Sequence, residues 1–296
     1  MFETASSREA SAGNSVIRRR TFIGGAAGVL ALGAVRSSGG KQVPQPALAF
    51  HLFSPSFSRP RPLLVTVHGV STHPVTMIEL MARAAARHET SLMAPHFADE
   101  RFDDYQRLGS ASRPFQSADA LAAVLADAGR RTLSSAGKID IMGFSGGAQF
   151  AHRFAMFFPQ LVRRVIIASP GWYTYLDRGE PFPYGIGPSE QSLNRMPDVD
   201  AFLRIPKLVA VGQLDTRRDA QLRRGKADAQ GRTRLERAQR WVAHINEQSV
   251  QRGISARATL ETIPGARHSV TEAVRRGGLA DTIFSFLEPT TLPVKS

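Results

Sequence analysis

The stretch from Lys138 to Phe150, KIDIMGFSGGAQF, limits the fold more than any other part of the chain. Ile139, Ile141 and Met142 predict a short buried strand. From Ala148 onward, Ala148, Ala151, Phe154, Ala155 and Phe158 recur at spacings of three and four, the period of a helix face packed on a core. Between the two stands Gly143-Phe144-Ser145-Gly146-Gly147, a match to G-x-S-x-G. Strand and helix pass so closely at such an elbow that side chains at the glycine positions would collide, and the turn lifts the hydroxyl clear of the sheet. Ser145 is therefore the candidate nucleophile. A Gly/Ser turn without chemistry is the alternative, so the remaining sequence must be searched for a base, an acid and an oxyanion site.

Strands are expected at 47–54, 62–68, 91–94, 165–169, 207–212 and 258–263, with helices at 76–88, 118–130, 233–251 and 271–287. The core stripe of the helix at 233–251 is expected to be Leu235, Ala238, Val242 and Ile245. Alternating strands and helices predict an α/β fold, a mostly parallel sheet covered by helices on both faces. The unbroken apolar run PLLVTVH fits a strand buried on both sides. With 296 residues, 42% of them hydrophobic, one large core suffices, so residues 39–296 are expected to form a single domain with an insertion at 170–206.

Chemistry in such sheets gathers at the carboxyl ends of strands. QLDTRRD places Asp215 three residues beyond Gly212, with Asp219 a helical turn later as its competitor. PGARHSV places His268 in a loop before the final helix, and VTVHGVSTHP ends a strand at His68-Gly69-Val70. An oxyanion is held by preorganised donors, for which the amides of Val70 and Gly146 are the candidates. His68 is expected to order its loop by hydrogen bonds. The insertion carries Trp172, Tyr173, Tyr175, Phe182 and Tyr184. Trp172 and Tyr173 are candidate substrate-binding residues on the wall of an apolar pocket; the alternative is a satellite cluster that pins the loop.

Serine, then aspartate, then histidine is the chain order of the α/β-hydrolase triad. With H-G at the oxyanion loop and G-x-S-x-G at the elbow, the sequence resembles an α/β-hydrolase over its whole mature length. Within that superfamily it is similar to bacterial secreted esterases and polyhydroxybutyrate-depolymerase-like proteins. SPGWYTYLDRGEPFPYGIG also resembles a segment of bacterial α/β-hydrolases, whereas HGVST departs from the H-G-G-G loop of lipases in lacking its second glycine. The resemblance implies a serine hydrolase that cleaves carboxylic ester bonds through Ser145, His268 and Asp215 with an acyl-enzyme intermediate. Its substrate would be a small-molecule or polymeric ester. A serine peptidase or amidase on the same fold, or a binding protein that kept the fold without activity, are the alternatives.

The formal net charge is +13, but the basic residues are scattered and no nucleic-acid-binding pattern accompanies them, so no nucleic-acid partner is expected. The densest basic segment, Thr216 to Arg240, interleaves Asp219, Asp228 and Glu236 and reads as a solvated loop and helix face. There is no cysteine, hence no disulfide and no thiolate ligand. His51, His73, His88, His96, His152 and His244 lack metal-ligand spacing, and GIGPSE lacks the strand and third glycine of a dinucleotide fingerprint, so neither metal nor cofactor is expected. Near the start, Arg18 to Arg20 precede a Gly/Ala-rich run too short to span a bilayer comfortably. Arg19-Arg20-Thr21-Phe22-Ile23 resembles a twin-arginine signal. That resemblance implies a leader over residues 1–38, export in the folded state to the periplasm or beyond, and only transient membrane contact.

Overall fold

The computed structural model describes residues 21–22, 28–31, 48–55, 62–97, 100–130, 137–193, 195–218 and 225–288. The central strands are β3 (Phe50–Ser54), β4 (Leu63–Val67), β5 (Ser91–Pro95), β6 (Ile139–Phe144), β7 (Val162–Ala168), β8 (Lys207–Gly212) and β9 (Ala258–Ile263). The backbone of Thr21–Phe22 (β1) and Gly28–Ala31 (β2) adds two antiparallel strands beyond β3. The order across the sheet is β1-β2-β3-β5-β4-β6-β7-β8-β9. From β5 to β9 every pairing is parallel, and β3 lies antiparallel to β5. Every residue of β4, β6 and β8 is buried, as in strands covered on both faces, and this includes the charged Asp140 and Lys207.

Helices α1 (Pro74–Arg87), α2 (Gln116–Arg130), α3 (Gly146–Phe157), α4 (Val199–Arg204), α5 (Arg234–Gln251), α6 (Val270–Arg275) and α7 (Leu279–Leu287) cover the sheet. Side chains alternate along each strand, so successive residues of one strand feed opposite layers. Val65, Ile141, Ile167 and Val209 join Leu121, Phe154 and Trp241 under α2, α3 and α5. Leu64, Met142, Ile166 and Leu208 join Met77, Met81 and Phe284 under α1 and α7. Among the described residues no helix is long and apolar enough to cross a membrane.

Two expectations need correction. The closing helix is two helices, because Gly277-Gly278 interrupts it and Gly278 turns with φ +72°, a conformation in which glycine avoids the strain of a side chain. Helix α5 buries Arg234, Arg237, Ala238, Trp241, Ile245 and Ser249, while Leu235 and Val242 are half-buried and pack against the same core. The basic segment is thus not uniformly solvated: Arg234 and Arg237 lie inside, while Thr216, Arg217 and Arg218 are exposed or nearly so. Residues 28–31, which pair with β3, fall within the expected leader; Arg19 and Arg20 lie outside the described residues.

Candidate active site

The elbow forms where the glycines demand it. Ser145 caps α3 with φ +54° and ψ −115°, a backbone conformation costly for a residue with a side chain. Its amide donates to Ala168 O at 2.9 Å, which ties the turn to β7. A Cβ on Gly143 would lie 2.0 Å from Gly147 O, so only glycine fits there.

Three loops at the carboxyl ends of β6, β8 and β9 then bring their side chains together. Ser145 Oγ lies 3.0 Å from His268 Nε2, and His268 Nδ1 lies 2.8 Å from Asp215 Oδ2. With Nδ1–H donating to the carboxylate, Nε2 presents its lone pair to the serine hydroxyl. The imidazole stacks on Phe144, with ring centroids 5.2 Å apart, so the residue before the serine also steers the base. The loops carrying acid and base are joined through their main chain, since Leu214 N donates to Ala266 O at 2.9 Å.

On the other side of Ser145 the loop after β4 brings up Val70. A Cβ on Gly146 would lie 3.5 Å from Val70 N, so the two candidate oxyanion amides are neighbours. His68 stiffens this loop: its Nδ1 is 2.8 Å from Gly69 O, and its Nε2 accepts from Phe97 N at 3.1 Å. Burial lowers its pKa to about 4, with a smaller effect of His96 and His73, so the ring is neutral. Tyr105 Oη donates to His68 O at 2.8 Å, a contact that the sequence did not signal.

No family model matches the sequence, and no curated protein matches it significantly. Solved structures do. Poly(aspartic acid) hydrolase-1 from Sphingomonas sp. KT-1 aligns with a TM-score of 0.68 at 22% identity, over 86% of this chain and 98% of that one. LpqC, the poly(3-hydroxybutyrate) depolymerase from Bordetella parapertussis, aligns with a TM-score of 0.69 at 21% identity, over 88% and 92%. An S-formylglutathione hydrolase from Agrobacterium tumefaciens aligns at 0.58 and 13% identity, over 90% and 97%. The chain has the α/β-hydrolase fold.

Within this α/β-hydrolase fold, the cleft at Ser145 has a volume of about 300 Å³. Gly69, Ser71, Thr72, His73 and Thr76 line one side, and Ser269, Val270 and Thr271 flank His268 on the other. This wall is rich in hydroxyls, which corrects the expectation of an aromatic one. Tyr173 is fully buried and Trp172 is 3% exposed, and neither lines the cleft. Trp172 stacks on Tyr184 at 4.4 Å, with the Arg153 guanidinium 4.1 Å from its ring. Tyr173 stacks on Trp241 at 4.9 Å. The insertion is held down by its own aromatic cluster, so the satellite cluster, and not the pocket wall, is what these side chains form. His152 and His244 serve it as acceptors, taking hydrogen bonds from Thr174 N and Leu176 N at 3.1 Å each. Among the described residues no group of histidines and carboxylates has the arrangement of a metal site.

The sequence missed one partner of the candidate triad. Arg234 Nη1 donates to Asp215 Oδ1 at 3.0 Å, and both side chains are almost wholly buried. Asp219, the competing acid, lies outside the described residues.

Proposed function

We propose that the protein is a serine hydrolase that cleaves carboxylic ester bonds through Ser145, His268 and Asp215. The observation that carries the reading is the continuous hydrogen-bonded line from Ser145 Oγ through both nitrogens of His268 to Asp215 Oδ2, beginning at a backbone-strained elbow. Ser145 Oγ attacks the ester carbonyl while its proton passes to His268 Nε2. Asp215 stabilises the imidazolium that forms. The carbonyl oxygen, now negative, is held by the amides of Val70 and Gly146. His268 returns the proton to the departing alcohol, which leaves an acyl group on Ser145. Water, deprotonated by the same histidine, attacks this ester and releases the acid.

The hydroxyl-lined cleft supports short, polar acyl and alcohol groups, from a small ester or a polyester chain, rather than long alkyl chains. Cleavage of amides would use the same groups, so bond type is decided by experiment. A panel of esters and peptides is assayed with wild type and Ser145→Ala, and a serine-directed organophosphonate is used to label the protein. The expected outcome is ester turnover lost in the variant, a label mapped to Ser145 and activity retained with chelators. A peptide cleaved faster than every ester, or a label elsewhere, overturns the reading.

We further propose export by a twin-arginine signal over residues 1–38. Loss of β1 and β2 with such a leader leaves β3 as the sheet edge and the triad strands untouched. Arg19→Lys with Arg20→Lys should retain a reporter fusion inside the cell; equal export of the variant refutes it.

A further inference from the structure

The geometry points to Arg234 as a positioning residue for the acid, one that clamps the second oxygen of Asp215 and keeps a positive charge beside the Asp215–His268 couple throughout turnover. The inference rests on the serine-hydrolase reading and adds a member to its machinery.

Asp215 is 1% exposed, and among the described residues each of its carboxylate oxygens has one partner: His268 at 2.8 Å on Oδ2 and Arg234 at 3.0 Å on Oδ1. A carboxylate held at both oxygens cannot rotate away from the imidazole. Arg234 itself is 2% exposed and opens α5. That is an unfavourable position for a cation, since the amino end of a helix carries the positive end of its dipole. Thr233 already caps the helix by accepting from Glu236 N at 3.1 Å, so helix formation does not account for the arginine. Burial of a guanidinium is costly unless it is paired, and here it meets the carboxylate of Asp215.

The platform is rigid. One turn on, Arg237 donates to Gly171 O at 2.5 Å, to Gly231 O at 2.8 Å and to Asp228 Oδ1 at 3.1 Å. Trp241 Nε1 on the same face donates to Thr174 O at 2.9 Å. The first two turns of α5 are thereby fixed to the segment that follows β7, and Arg234 is delivered to Asp215 from a helix rather than from a loop.

The charges around the couple come from each element packed on it. Helix α5 gives Arg234 and, behind it, Arg237, which is paired with Asp228. The segment after β7 gives the Tyr173 hydroxyl, held neutral chiefly by burial and also by Tyr175 and Asp215. The histidine loop gives Arg267, paired with Glu272 at 3.2 Å. Among these groups Arg234 is the cation in direct contact with the acid. Removal of a neighbouring positive charge makes proton uptake easier for any group beside it. Loss of the Arg234 charge should therefore move the acid limb of the pH–rate profile upward.

The test compares pH profiles of kcat/KM for a short-chain ester in wild type, Arg234→Met, Arg234→Gln and Arg234→Lys, with organophosphonate labelling of Ser145 in parallel. Arg234→Met and Arg234→Gln should move the acid limb upward by about one pH unit. On that limb kcat/KM should fall by about tenfold, mostly in kcat. Arg234→Lys, which keeps the charge, should bring the limb back toward wild type. Gln keeps a donor without charge, so it carries the test if Met does not fold. Acid limbs that superimpose on wild type, whatever the loss in kcat, reduce Arg234 to a structural role and overturn the inference. Failure to label Ser145 in wild type overturns instead the hydrolase reading on which it rests.

Discussion

Gly147 packs so tightly against the end of β4 that a Cβ built on it would lie 2.1 Å from Val67 O. That contact brings the serine elbow against the strand that leads to the Val70 loop, so it links the candidate nucleophile and the candidate oxyanion site through backbone alone. Gly147→Ala should push α3 off β4, cost about 1–3 kcal/mol or more in overpacking and lower both Tm and kcat. Gly253→Ala is the control, since its Cβ would meet nothing within 4 Å and only its φ of +63° opposes the change. Thermal melts of the two variants check the ranking, and equal losses would mean that the elbow contact is looser than it stands here.

Asp215→Asn keeps the shape of the side chain but disturbs the tautomer of His268. Turnover should fall by about four orders of magnitude at neutral pH if the protease precedent holds. Asp219→Asn should leave turnover within a few-fold of wild type. The reverse ranking in equally folded variants would transfer the acid to Asp219.

His68 predicts a pH dependence of stability with a definite sign. Its pKa is about 4 in the fold against 6.5 for the free side chain. Between those values the unfolded chain binds a proton that the folded chain does not, so stability drains away as pH falls from about 6.5 toward 4. The full loss from this group is on the order of 3 kcal/mol. His68→Gln, which can still accept from Phe97 N, should be less stable near neutrality but flatter across that window. Urea denaturation at a series of pH values measures the slope, and an unchanged slope would assign it to other groups, such as His152, whose pKa burial also lowers.

The aromatic cluster should matter for stability and not for substrate. Trp172→Leu removes the stack on Tyr184 and the contact with Arg153, which should lower Tm by several degrees while KM for short esters changes less than about twofold. In the same assays, acetyl and hydroxyacyl esters should outpace long alkyl esters. Large KM effects at Trp172 with an unchanged Tm would restore it to a substrate wall.

Periodic parts of the fold were legible in the sequence. Strands β8 and β9 fall where their apolar patterns end, and the three side chains Ser145, Asp215 and His268 converge because each comes after a strand in a parallel sheet. Aperiodic features were not legible. Arg234 and Arg237 share a segment with exposed arginines, and only three-dimensional neighbours distinguish them. Lys207 opens β8 yet is buried, its ammonium donating to Phe202 O, Leu203 O and Ile205 O at 2.6, 3.2 and 2.6 Å. The aromatics of the insertion fit a pocket wall as well as a core in one dimension, and only the fold shows Trp172, Tyr173 and Phe182 to be buried. Gly277-Gly278 was in plain view as a helix interruption, but the apolar pattern on either side of it concealed the break.

The acid loop and the base loop are stitched together by their main chains. Gln213 N donates to Ile263 O and Leu214 N to Ala266 O, both at 2.9 Å, and Gly265 N donates to Gln213 Oε1 at 3.1 Å. Asp215 and His268 are far apart in sequence, but these bonds hold the two loops that carry them side by side. The entropy of bringing base and acid together is spent when the protein folds. On the proposed reading, an arriving substrate meets a couple already aligned, and its binding energy remains free for the chemical step.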